Sequence, residues 1–190
     1  VARYHTPTGR VIQRPFEKGK REEYYANISK RLTGDYALDS LALDTLPKYK
    51  TLIEGRTVYG GGGIMPDITT PIDTSGYTNY WAELSRRGVL AEYVVKYLDT
   101  HRSDIESRYA TDEEFVAQFE VSAEMIEALA TFAEQKGIAR HDEELAISRN
   151  EIAKIIKGLI AQRLWDTSAY FKVVNRTNPM VERALSVLNN

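Results

Sequence analysis

The stretch VYGGGGIMPDI, at Val58 to Ile68, is the first place where this sequence invites a chemical reading. Four consecutive glycines cost conformational entropy to order, so something must require them. A phosphate cradle needs a following helix with its amides turned to the anion, and the familiar version carries a lysine and a Ser/Thr directly after the glycines. Here Ile64, Met65 and Pro66 follow instead. The dinucleotide fingerprint fails in the same way, which leaves nucleotide binding the weakest of the functional readings. Small residues that let the backbone turn sharply and pass close to another element explain the run with less. Asp67 is a single carboxylate with Asp73 as its nearest acidic neighbour in sequence, too few ligands for a metal, and is expected to serve a turn or a cap.

The other reactive side chains are dispersed. His5, His101 and His141 show no metal-ligand spacing, and the chain has no cysteine, so thiol nucleophiles, thiolate metal sites and disulfides are excluded. There is no Gly-x-Ser-x-Gly elbow, and a serine without a positioned base is not a nucleophile. The acidic clusters DEEF, HDEE and DIE are expected at helix starts, where they favour the helix dipole. From the residues alone no catalytic, cofactor-binding or metal-ligating residue is assigned, and no cofactor is implied.

The elements that surround these residues fall into two textures. Hydrophobic residues make up 43% and charged residues 27% of 190, the balance of a globular protein, with a net charge of −2. Residues 1–31 hold eight Lys/Arg and three Glu, but the cations are interleaved with the glutamates among strand and turn signals, so no nucleic-acid footprint is expected. No apolar run approaches the roughly eighteen residues of a transmembrane helix. The opening VARYHTPTGR lacks a methionine and starts in strand-like sequence, as expected of an excised piece.

TPTG at Thr6–Gly9 predicts a type I turn between Val1/Tyr4 and Val11/Ile12. REEYYANISKRLTG predicts a helix with Tyr24, Tyr25, Ile28 and Leu32 on one face and Gly34 ending it, followed by a loop through Leu41, Leu43, Leu46 and Pro47. YKTLIEGRTVYG predicts a hairpin turning at Gly55. Pro66 and Pro71 confine IMPDITTP to an extended or edge segment.

After about residue 75 helical spacing takes over. Tyr80, Trp81 and Leu84 share a face, Gly88 interrupts, and Leu90, Val94 and Leu98 resume. Thr111 with Glu114 forms a capping box before Phe115, Val116 and Phe119. Ser122 caps a helix with Met125, Ile126, Leu129 and Phe132, stopped at Gly137. Asp142 is expected to cap a long helix through Leu145, Ile152, Ile155, Ile156, Leu159 and Leu164. Asn178 and Pro179 open a last helix with Val181, Leu185 and Leu188 inward. The expected class is α+β: a hairpin-rich segment, 1–75, then an α-helical domain, 76–190.

The order of two motifs adds a resemblance. ARYHTPTGRVIQ, followed by GRTVYGGGGIMPDI, resembles the end of the catalytic domain in C-terminal processing (tail-specific) serine peptidases. The Arg14–Gly60 spacer between them is similar to that of Bacteroidetes-type members, as is the helical tail with GVLAEYVVKYLDTHR and LWDTSAYFKVVNRTNPMVERALSVL. The resemblance implies a Ser–Lys dyad, in which a neutral lysine takes the proton from the serine hydroxyl and backbone amides hold the oxyanion. The family's Gly-Ser-x-Ser and Gly-Lys-Gly type motifs, and its PDZ domain, precede this region, and neither motif occurs in these 190 residues. The resemblance therefore assigns no catalytic residue here. It implies polypeptide substrates acting through a parent enzyme, a periplasmic or cell-envelope location, and an isolated segment without activity. It also implies that Gly60–Gly63 return the chain from the inserted hairpin and helix to the edge of the protease core, with IMPDI beside the RYHTP strand. The alternative is a helical interaction module, self-associating or docking an adaptor, with no enzymatic activity.

Overall fold

The computed structural model describes residues 3–13, 16–22, 24–25, 46–61, 63–64, 68 and 70–189. The chain divides into two compact units, Val1–Ile72 and Asp73–Asn190. At a coarse level it is α+β: mostly helical, with seven helices and one small two-stranded antiparallel sheet among the described residues.

The sheet belongs to the first unit. Strands β1 (Lys48–Lys50) and β2 (Thr57–Tyr59) pair Lys48 with Tyr59, Tyr49 with Val58 and Lys50 with Thr57. This is the hairpin expected around Gly55. Its loop is closed by Thr51, whose amide donates to the Arg56 carbonyl at 3.0 Å while its hydroxyl accepts from the Arg56 amide at 2.9 Å. The TPTG turn also forms, with the Gly9 amide donating to the Thr6 carbonyl at 2.8 Å. The hairpin around it is reduced to a single antiparallel bridge between His5 and Val11. Arg21, Glu22, Tyr24 and Tyr25 are helical, and the remainder of the helix expected over 21–34, with Ile28, Leu32 and Gly34, lies outside the described residues, as do Val1, Leu41, Leu43, Pro66 and Asp67.

The second unit is built around one helix. The helices are α1 (Asn79–Arg86), α2 (Val89–Arg108), α3 (Asp112–Gln118), α4 (Ala123–Gln135), α5 (Asp142–Leu164), α6 (Thr167–Asn175) and α7 (Pro179–Leu188). α5 packs against α1, α2, α3, α4 and α6. Ile152, Ile156, Ile160 and Ala161 are completely buried along it, beside Leu84, Phe115, Leu129 and Ala133 from the surrounding helices. Each such isoleucine contributes about 1.5–3 kcal/mol by leaving water. On another side of α5, Gly158 meets α6 so closely that a Cβ there would sit 2.9 Å from Tyr170 Cδ2 and 3.4 Å from Val174 Cγ1.

The caps explain where most of these helices start. Thr78, Thr111, Ser122, Asp166 and Asn178 each accept a bond from a first-turn amide. α1 is also held from α5: Glu144 accepts from the Tyr80 amide at 2.6 Å, and the buried Ser148 hydroxyl lies 2.7 Å from that of Thr78. Thr111 accepts from the Glu114 amide, but the Glu114 carboxylate returns to the Ala110 amide at 2.9 Å, one residue earlier than a standard capping box.

Four expectations are corrected. Asp142 does not cap α5: the helix already begins at Asp142, His141 holds the cap position without a side-chain bond, and the Asp142 carboxylate pairs with Arg140 at 2.6 Å. α6 was not expected as a separate helix; Asp166 restarts the chain there by accepting from the Ala169 amide at 2.9 Å. Val181, Leu185 and Leu188 do not face inward. α7 has no buried residue, and Leu185 and Leu188 are 54% and 81% exposed. Asn178 and Pro179 start α7 locally, whereas it is α6 that packs on α5 and buries Ala169 and Val173. Finally, DIE (104–106) is not at a helix start but near the end of α2, where Glu106 pairs with Arg102 at 3.2 Å.

The closeness of α5 and α6 yields a direct test. Gly158→Ala is expected to lower the free energy of unfolding by about 1–3 kcal/mol, because the ring of Tyr170 must move. Gly158→Ala paired with Tyr170→Leu should recover part of that loss. Chemical denaturation followed by circular dichroism measures both.

Candidate functional site

The two motifs singled out by the sequence meet in the first unit. Arg10 follows the TPTG turn, and its Nε donates to the Tyr59 carbonyl at 2.7 Å while Nη2 donates to the Gly63 carbonyl at 3.4 Å. The Gly61 amide donates to the Val11 carbonyl at 2.8 Å, and the Gly60 amide to that of Pro47 at 2.9 Å. One arginine and one backbone bond thus tie the turn to the start of the glycine run.

This geometry answers why glycines are needed. A Cβ on Gly60 would lie 2.7 Å from Tyr49 Cε2 and 3.4 Å from the Val11 oxygen, so a side chain would have to displace the Tyr49 ring and would crowd the Val11 carbonyl. Gly61 and Gly63 have φ of 74° and 90°, in the left-handed region that costs an L-residue with a Cβ roughly 1 kcal/mol or more. Among the described residues the next helix after the run begins at Asn79, so the glycines do not open a helix N-terminus of the phosphate-binding kind. The arrangement of IMPDI beside RYHTP lies largely outside the described residues; at the run's start the partner is Val11, on the far side of the TPTG turn from Tyr4.

Other reactive residues stay apart. His5 Nδ1 lies 3.1 Å from the Gly9 carbonyl. His101 stacks on Tyr97 with centroids 4.1 Å apart, its Nδ1 2.9 Å from the Tyr97 carbonyl. His141 precedes α5 with its ring edge toward Tyr80. Asp73 accepts from the Ser75 amide at 2.9 Å, and that bond and the Ser75 side chain hold its carboxyl below the usual range. DEEF and HDEE occupy first turns, of α3 and α5. Among the described residues no three His, Asp or Glu side chains converge to hold a metal ion.

Sequence reading missed a second constellation, in the helical unit. Lys154, Lys157 and Arg176 line a cleft of about 410 Å³ together with Val116, Asn150, Glu151, Val173 and Thr177. The Lys157 Nζ and the Arg176 Nη1 both donate to the Val116 carbonyl, at 2.8 and 2.9 Å. Burial first, then repulsion from Arg176, hold the Lys157 ammonium below the ordinary lysine range, with Glu120 acting weakly in the other direction. Lys154 and Lys157 lie three apart on α5, the only part of this grouping that a sequence pattern carries; Arg176 arrives through the unexpected α6.

The motif junction generates a prediction. Arg10→Ala and Gly61→Ala should each accelerate amide hydrogen exchange at Gly61 and Gly60, the first by removing the Arg10 tie and the second by straining φ. Both should leave exchange in α5 unchanged, since that helix belongs to the other unit. Exchange measured by NMR or mass spectrometry decides it.

No helix among the described residues is long and apolar enough to cross a membrane. No curated protein and no solved structure matches the chain. Residues 80–166, from α1 to the residue that caps α6, match the model of a family described as a family of unknown function, DUF8443.

Proposed function

We propose that this chain is the C-terminal part of a tail-specific serine endopeptidase of the cell envelope, one that cuts polypeptides near their C-termini. The observation that carries the reading is the joining of the two resembled motifs: Arg10 of the TPTGR segment reaches the carbonyls of Tyr59 and Gly63, and Val11 accepts from Gly61. Motifs that are merely similar in sequence need not touch; these hold one another through main-chain groups, as expected of two segments that complete one edge of a core.

In this reading the chain's own residues do no bond chemistry. Its role is to close the edge of the catalytic domain at residues 1–72 and to append a helical body at 73–190. The serine that attacks the peptide carbonyl, the lysine that accepts its proton and the amides that hold the oxyanion belong to preceding chain. A second reading, a helical association module without enzymatic activity, is favoured by the exposed apolar side of α7, with Met180, Leu185 and Leu188.

The test is activity-based labelling of the complete gene product beside the 190-residue chain. The longer polypeptide is expected to react with a fluorophosphonate probe at a serine preceding residue 1 and to cleave casein. The 190-residue chain alone should do neither. Turnover by the pure 190-residue chain, or a complete gene product that encodes no reactive serine and instead self-associates in light scattering, would overturn the peptidase reading.

A further inference from the structure

The cleft between α3, α5 and the end of α6 carries charge that its own contacts leave unbalanced. Of the residues that line it, Lys154, Lys157 and Arg176 are cationic and Glu151 alone is anionic. Glu151 is spent on Lys154 at 2.6 Å. Lys157 and Arg176 have no carboxylate within ion-pair distance among the described residues; both point at one neutral oxygen, the carbonyl of Val116 in the last turn of α3.

A structural role for the pair is to satisfy that last turn. The end of a helix is equivalent to about half a negative charge, so it balances a fraction of two full cations. Donor accounting leads the same way. An ammonium has three N–H groups and a guanidinium five. One from each goes to Val116, and both residues line the cleft together with Asn150 and Thr177. Bringing two cations together, one of them partly removed from water, is unfavourable, and an anion between them relieves that cost.

We propose that this cleft binds a phosphate group, as the free dianion or a small phosphate monoester, with Lys157 and Arg176 as the principal donors and Lys154, Asn150 and Thr177 at its margin. The formal charge of the lining is +2, which a dianion matches and a lone carboxylate does not. Val173 forms an apolar wall suited to the carbon part of a monoester.

The experiment titrates the intact chain with inorganic phosphate, glycerol phosphate, succinate and chloride at constant ionic strength, by calorimetry and by NMR. Phosphate is expected to bind saturably and to shift the resonances of Val116, Lys157, Arg176 and Thr177 before any others. Lys157→Met should weaken it about tenfold or more, the loss of one charge-assisted bond. Lys157→Arg, which keeps charge and donor, should retain it, and Lys96→Met, on a different face, should leave it unchanged. Glycerol phosphate binding as well as phosphate assigns the monoester; phosphate binding alone assigns the free ion. Phosphate acting no differently from chloride, succinate binding as tightly, or a folded Lys157→Met chain with unaltered affinity would overturn the proposal. Should that variant not fold, resonance shifts of the wild-type chain that avoid these four residues would overturn it equally.

Discussion

The helical unit depends on the burial of one helix on several sides at once. α5 packs against five other helices, and Ile152, Ile156, Ile160 and Ala161 have no exposed surface. Such a helix has little room left for polar residues, and the few it carries inward are tied. Ser148 meets Thr78, Glu144 holds the Tyr80 amide, and Lys157 meets Val116. Gly158 then allows α6 to lie against a side of α5 that a larger residue would hold off. The contact that closes the core also carries Arg176 to the Val116 carbonyl. Fold and cleft are thus consequences of one close packing.

The first unit follows a different rule. It has little regular structure among the described residues, and its order comes from specific main-chain bonds rather than from a large buried core. Arg10, Val11, Pro47 and Tyr49 converge on Gly60 and its neighbours. The glycines are there because the backbone must come close, not because an anion must be cradled. Apolar side chains stay exposed in this unit as well: Ile53 at the hairpin tip is 96% exposed.

Most of the local structure was legible in the sequence. Thr111, Ser122 and Asn178 announce their helices because a cap is a short-range interaction, decided within four residues. The hairpin at Gly55 is legible for the same reason. What was not legible is long-range. Asp142 is a good cap in isolation, but the helix already begins there and its carboxylate pairs with Arg140, which also holds Glu127 at 2.8 Å. α7 carries a sound apolar stripe with nothing in the sequence to say that it stays exposed. The cationic cleft brings together Val116 of α3, Lys157 of α5 and Arg176 at the end of α6, partners 41 and 60 positions apart in sequence along the two bonds, a separation no motif spans. The family-level resemblance rests on the two motifs of the first unit, whereas the match to a family of unknown function falls wholly within the second.

The claim that α5 organises the helical unit is tested most directly by native-state hydrogen exchange on the intact chain. The amides of Ile156, Ile160 and Ala161 should exchange slowest of all, through the same opening that exposes the buried parts of α2 and α4. If α5 instead exchanges faster than α2 and α4 while those helices remain protected, the core does not rest on it, and the account of both the fold and the cleft is contradicted.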